Sequence, residues 1–132
     1  KINFPKLYKL KVINNNKGNI LKFFKKNDLE IGELYFSWIN KNFVKGWKRH
    51  KRFNLNIVVP YGKVQFICFK DPKKKIYKFL IGEHNYKRLL IPSGYWFAFS
   101  SLTNSKSLIC SLSSNVHDKK EVETKKINLY NF

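Results

Sequence analysis

With 132 residues, 43% of them apolar, the chain is long enough for one domain, residues 1–132, around one core. It contains no apolar run able to span a bilayer, and its opening K-I-N-F-P-K-L-Y-K lacks the apolar stretch of a secretion signal, so a cytoplasmic protein is expected. A formal net charge of +19 invites a nucleic-acid reading. The lysines are scattered, however, and no zinc-finger spacing, basic zipper or RNP-like motif accompanies them, so a basic solvated surface is expected and nucleic acid is not an expected partner.

In chain order, Leu7–Ile13 alternates and predicts a strand, Asn14–Asn19 a turn, and Ile20–Phe24 the return strand. Glu33–Ile39 is rich in aromatics and predicts a strand; Asn40–Asn42 turns the chain, and Val44–His50 leads into the most informative stretch. There His50 stands among Lys48, Arg49, Lys51 and Arg52, followed by the apolar runs Leu55–Val59 and Lys63–Phe69 around Pro60-Tyr61-Gly62, a pattern that reads as a β-hairpin. Strands are predicted at Ile76–Ile81, Tyr95–Leu102 and Ser107–Ser113, and Lys87–Ile91 is a short apolar run. Asn115–Lys126 reads as loop or short helix, and Ile127–Phe132 as an apolar tail docking on the body. No long stretch combines helical periodicity with caps, so the fold class is all-β, an antiparallel sandwich or barrel. Cys68 and Cys110 sit on apolar strands and read as buried free thiols.

Strand alternation would put Lys48, His50 and Arg52 on one face and Arg49 and Lys51 on the other. If that face points inward, its cations call for an anionic ligand, since unpaired charge in a small core is costly. Neighbouring cations also favour the neutral, basic form of the His50 imidazole. His84, in a turn, and His117, in a charged segment, read as surface histidines.

Three segments carry a resemblance: G-W-K-R-H-K-R at 46–52, N-I-V-V-P-Y-G-K-V-Q-F at 56–66 and I-P-S-G-Y-W-F-A-F-S-S-L at 91–102. Together with N-K-G-N-I-L-K-F at 16–23, they resemble the cupin superfamily, in the branch of dTDP-4-dehydrorhamnose 3,5-epimerase. The resemblance implies a jelly roll, a homodimer, and a pocket for a nucleotide-diphosphate sugar, dTDP-linked in that branch. It implies proton abstraction beside a ketone by a histidine, matched by His50, with reprotonation by a tyrosine, for which Tyr35 and Tyr95 are the candidates. Lys48 and Arg52 are the expected ligands of a diphosphate or enolate oxygen; Lys17 stands in place of a family arginine. The family's His-Gly-Phe strand reads Phe97-Ala98-Phe99 here, and Ile109–Ser114 holds no tyrosine. Metal-dependent cupins use a His-x-His pair and a later histidine. His50-Lys51-Arg52 and Phe97 stand at those places, so neither metal nor other cofactor is expected. The expected function is a metal-free 3,5-epimerase or related ketoisomerase of surface-polysaccharide sugar synthesis; the alternative is a cupin that binds the sugar without catalysis.

Overall fold

The computed structural model describes residues 2–126. Twelve strands occur among them and no helix: β1 (Lys6–Lys9), β2 (Val12–Ile13), β3 (Ile20–Leu21), β4 (Glu33–Ile39), β5 (Val44–His50), β6 (Leu55–Tyr61), β7 (Lys63–Phe69), β8 (Tyr77–Gly82), β9 (Lys87–Ile91), β10 (Trp96–Ser101), β11 (Ser107–Ser113) and β12 (Val122–Thr124). They form two five-stranded sheets, ordered β1-β9-β6-β11-β4 and β12-β5-β10-β7-β8, and a small β2-β3 pair. Every pairing between these strands is antiparallel. The sheets do not close into a barrel; the expected cupin-type fold takes its sandwich form.

Period-two patterning explains the layers. Leu55, Ile57 and Val59 of β6 meet Val64, Phe66, Ile81, Leu89 and Ile109 in a core that is fully or almost fully buried. Each such side chain contributes about 1.5–3 kcal/mol relative to exposure. The outer face of the first sheet is covered by the β2-β3 region, where Leu10, Val12, Leu21 and Phe23 pack on Val58, Tyr86 and Cys110. The outer face of the second sheet carries its own cluster of Trp47, Ile67, Phe69, Trp96 and Ala98. Cys68 and Cys110 are buried and free.

Three expectations are corrected. The β6 and β7 runs do not pair as a hairpin but lie in opposite sheets. Both are buried along most of their length, and each gains hydrogen-bonded neighbours on both sides, β9 and β11 for β6, β8 and β10 for β7. Pro60-Tyr61-Gly62 is thus a corner between sheets. The single strand read at Leu7–Ile13 is split, β1 joining β9 and β2 pairing with β3. The Asn115–Lys126 segment contains a strand, β12, on the free edge of β5. The expected tail at Ile127–Phe132 lies outside the described residues.

The corner sets a strict demand on Gly62. Its φ is +86°, and a Cβ there would lie 2.2 Å from Ser107 Oγ, the group that accepts the Lys63 N–H at 3.0 Å. Gly62→Ala is expected to lower the unfolding free energy by about 1–3 kcal/mol, from positive-φ strain and the displaced serine. Urea denaturation showing unchanged stability would contradict this account of the corner.

Candidate active site

The site lies where the inner faces of β4 and β11 in one sheet meet those of β5 and β10 in the other. On β4, alternation sends Leu34, Phe36 and Trp38 outward and leaves Tyr35 and Ser37 on the inner wall. On β5 it sends Trp47 and Arg49 outward. Trp47 packs against Phe69 with ring centroids 4.9 Å apart. Arg49 lies 4.5 Å above the Trp96 ring and forms a bidentate pair with Glu123 at 2.8 and 2.9 Å. Those outer contacts fix the strand, so Lys48 and His50 face inward. They line a cavity of about 480 Å³ with Tyr35, Ser37, Ser111 and, deeper, Leu55, Ile57, Phe97, Phe99 and Ile109. A second cavity of about 290 Å³, lined by Glu33, Phe53 and Ser113, shares Tyr35, Lys48, His50 and His117 with the first.

His50 is held as a flat plate. Its ring is near-parallel to Phe97 at 6.3 Å and to Phe53 at 6.2 Å. Its Nδ1 is buried and has no hydrogen-bond partner among the described residues. Burial is the main influence lowering the His50 pKa; Glu121 opposes it, while His117 and Lys48 lower it further. The imidazole is thus neutral and basic near neutrality, as the sequence reading expected, but mainly through desolvation rather than through neighbouring cations. Across the cavity, burial raises the pKa of Tyr35; the adjacent Ser111 hydroxyl offsets this in part and Glu33 adds to it. Tyr35 therefore keeps its proton at neutral pH.

Of the residues picked from sequence, Lys48, His50 and Tyr35 come together. Arg52 does not join them. The β5 strand ends at His50 and the chain bends, so alternation no longer places the next side chain. The Arg52 side chain is 76% exposed, contacts Glu121 at 3.2 Å, and lines a separate cleft with Asn54, Lys70 and Ser93. Lys17 is exposed in the turn between β2 and β3. Tyr95 is buried in the main core, edge-on to Tyr77 and beneath the Lys70 ammonium, and does not line the cavity.

Two residues were missed. His117 is exposed, as read, but lines both cavities; its N–H donates to Glu33 Oε1 at 2.9 Å, which pins its loop to the start of β4. Glu121 is only 1% exposed. Its carboxylate accepts the Arg52 N–H on both oxygens (2.9 and 2.7 Å), the Phe53 N–H at 3.2 Å and Arg52 Nε at 3.2 Å. Burial alone would raise its pKa; these donors outweigh that and hold it below the usual carboxylate range. The alternation of Glu121-Val122-Glu123 was the available signal, a short edge strand with charges on either side of an apolar residue.

Glu121 is therefore the carboxylate that both shapes the bend after His50 and sustains its basicity. Titration of the His50 ring by NMR should give a midpoint below 6.5. Glu121→Gln should move that midpoint lower still, because the opposing negative charge is lost. A midpoint unchanged by the substitution would remove Glu121 from the electrostatics of the site.

Comparisons with known proteins bear on the fold and the family. The chain is 23% identical over 128 residues to the probable low-salt glycan biosynthesis epimerase Agl13 of Haloferax volcanii, covering 89% of this chain and 82% of that protein. Its fold is similar to that of a dTDP sugar isomerase from Desulfovibrio desulfuricans, with a TM-score of 0.89 at 23% identity over 97% of this chain and 87% of that one. It is also similar to QdtA, a sugar 3,4-ketoisomerase from Thermoanaerobacterium thermosaccharolyticum solved in complex with TDP, with a TM-score of 0.78 at 17% identity over 93% and 89% of the two chains. The WxcM-like, C-terminal family (FdtA) matches residues 4–127, nearly the whole length, and the chain belongs to that family.

Proposed function

We propose that the protein is an isomerase of nucleotide-linked 4-keto sugars, a 3,5-epimerase or related ketoisomerase of glycan biosynthesis, with a dTDP-linked substrate. The observation that carries this reading is the meeting of His50, Lys48 and Tyr35 around one cavity, with the first two on one sheet and the third on the other. Family membership and the dTDP-sugar enzymes of the same fold support it.

The chemistry follows from the two walls. A proton beside a ketone is acidic enough for an imidazole to remove when the developing enolate is stabilised in place. His50, neutral through burial, takes the proton. Lys48, two residues earlier on the same face, offers an ammonium to the enolate oxygen or a phosphate. Tyr35, protonated and on the opposite sheet, returns a proton from the other face, which inverts the carbon. The apolar floor of Leu55, Ile57 and Ile109 excludes water beneath the sugar. No step calls on a metal or cofactor. Arg52 and Lys17 remain candidates only for parts of a ligand that extend beyond the cavity, and Tyr95 is not used.

The test is wash-in of solvent deuterium at the carbon next to the keto group of a dTDP-4-keto sugar. Wild-type protein should exchange it, with an acid limb whose midpoint lies below 6.5, the side to which the His50 pKa is lowered. His50→Asn should abolish exchange, a loss of at least about a hundredfold, while thymidine diphosphate still binds. Binding without exchange by wild type would leave a non-catalytic sugar-binding cupin.

A homodimer forms part of the same proposal. The edge strand β4 presents Leu34, Phe36 and Trp38 outward at 44–64% exposure, and Phe43 beside it is 64% exposed. An open edge with an apolar face invites a second copy. Sedimentation at tens of micromolar should show a dimer, on the order of ordinary interface affinities, and Phe36→Asp should shift it towards monomer. A wild-type monomer at that concentration would remove this element. Two free buried thiols accord with a reducing compartment and support a cytoplasmic location as part of this proposal.

A further inference from the structure

We propose that His117 is the proton relay that resets the site after each turnover, carrying a proton between His50, the cavity mouth and solvent. The proposal rests on the isomerase reading above and adds a residue and a step to it.

The need for such a group follows from proton accounting. In the forward step the substrate C–H bond breaks, its electron pair enters the enolate, and an N–H bond forms on the His50 imidazole. On the other face the Tyr35 O–H bond breaks and a new C–H bond forms. The product is then complete, but the protein holds an imidazolium at His50 and a phenolate at Tyr35. The next turnover must wait until one proton has left the first and one has reached the second. Nothing is oxidised or reduced, and water or buffer balances the transfer.

His50 is poorly placed to do this alone. Phe53 and Phe97 lie near-parallel to its ring at 6.2 and 6.3 Å, and its Nδ1 is buried without a partner among the described residues. A ligand in the cavity would cover its open side. His117 meets the requirement. It is exposed to solvent, and it lines both cavities alongside His50 and Tyr35. Its loop is fixed by the bond from its own N–H to Glu33. Both rings line the same two cavities, and like-charge repulsion from His117 is among the influences that lower the His50 pKa, after burial. The charged and titratable groups that line the two cavities with it are Glu33 and Tyr35 from β4 and Lys45, Lys48 and His50 from β5, with Asp118 next in its own loop. A neutral imidazole can accept a proton on one ring nitrogen while it holds one on the other, so His117 can take a proton from His50 and release one to water or to the Tyr35 phenolate.

The experiment uses the full chain with a dTDP-4-keto sugar, in dilute buffer that transfers protons poorly. His117→Ala should lower turnover about tenfold or more, leave the affinity for thymidine diphosphate unchanged, and be restored by added imidazole, which has little effect on wild type. His117→Ala turning over at the wild-type rate in dilute buffer would overturn the relay while normal deuterium wash-in left the isomerase reading standing. Loss of turnover that imidazole does not restore, or weakened thymidine diphosphate binding, would also overturn it, by making His117 a structural or binding residue. Absence of wash-in by the wild type would overturn the isomerase reading, and the relay with it.

Discussion

A buried carboxylate accepts nothing less than a full set of donors, and Glu121 obtains its set from the bend that follows β5. Ordinary strand geometry would carry β5 onward through Lys51 and Arg52. Instead the Arg52 and Phe53 N–H groups turn to the Glu121 oxygens, and the Lys51 N–H donates to the Glu121 carbonyl at 3.0 Å. The inward face of β5 thus ends at His50, and Phe53 comes round to lie against its ring. The end of the strand and part of the charge around His50 thus depend on one residue from a segment some seventy residues away.

The two faces of β5 divide the labour. Outside, Trp47, Arg49 and Trp96 form a packed and ion-paired layer with Glu123, and β12 adds backbone pairing from His50 to Lys48. Inside, the same strand carries groups that stabilise nothing: an exposed Lys48 and a half-buried imidazole with an unsatisfied nitrogen. A strand of only such residues would not hold its place. The outer layer supplies the rigidity that lets the inner face remain polar and partly unpaired, which is where binding and proton transfer need it.

How much was legible in the sequence follows from this arrangement. Glu33–Ile39, Lys63–Phe69 and Ser107–Ser113 appear with the bounds read from their aromatic and apolar runs, because burial on one or both faces holds each run in a sheet. His50 and Lys48 share a face for the same reason, and so does Tyr35 on its own strand. The corner at Gly62 was not legible, since a tight turn between two apolar strands reads alike whether they pair or part. Arg52 was misplaced because alternation was carried past a bend that a distant glutamate imposes. Glu121 and His117 lie in a charged segment without strong periodicity, and their roles exist only once β12 has docked on β5 and the loop before it on β4.

The site's charge pattern argues from the same geometry. Lys48, His50 and His117 meet at the boundary of two cavities where Glu33 is the acid among the lining residues, and Glu33 already spends one oxygen on the His117 N–H. Such a constellation repels a cation and attracts an anion, more strongly as the low-dielectric wall of Phe53, Phe97 and Phe99 replaces water around it. It also makes a proton on His50 unwelcome, which suits the role of base proposed for it. An anion bound beside Lys48 would relieve that repulsion, raise the basicity of His50 at the moment of need, and return it to a weaker base when product departs. On the proposed function, ligand binding and proton affinity would thus be coupled through a few charges on two strands and one loop, without any change of fold.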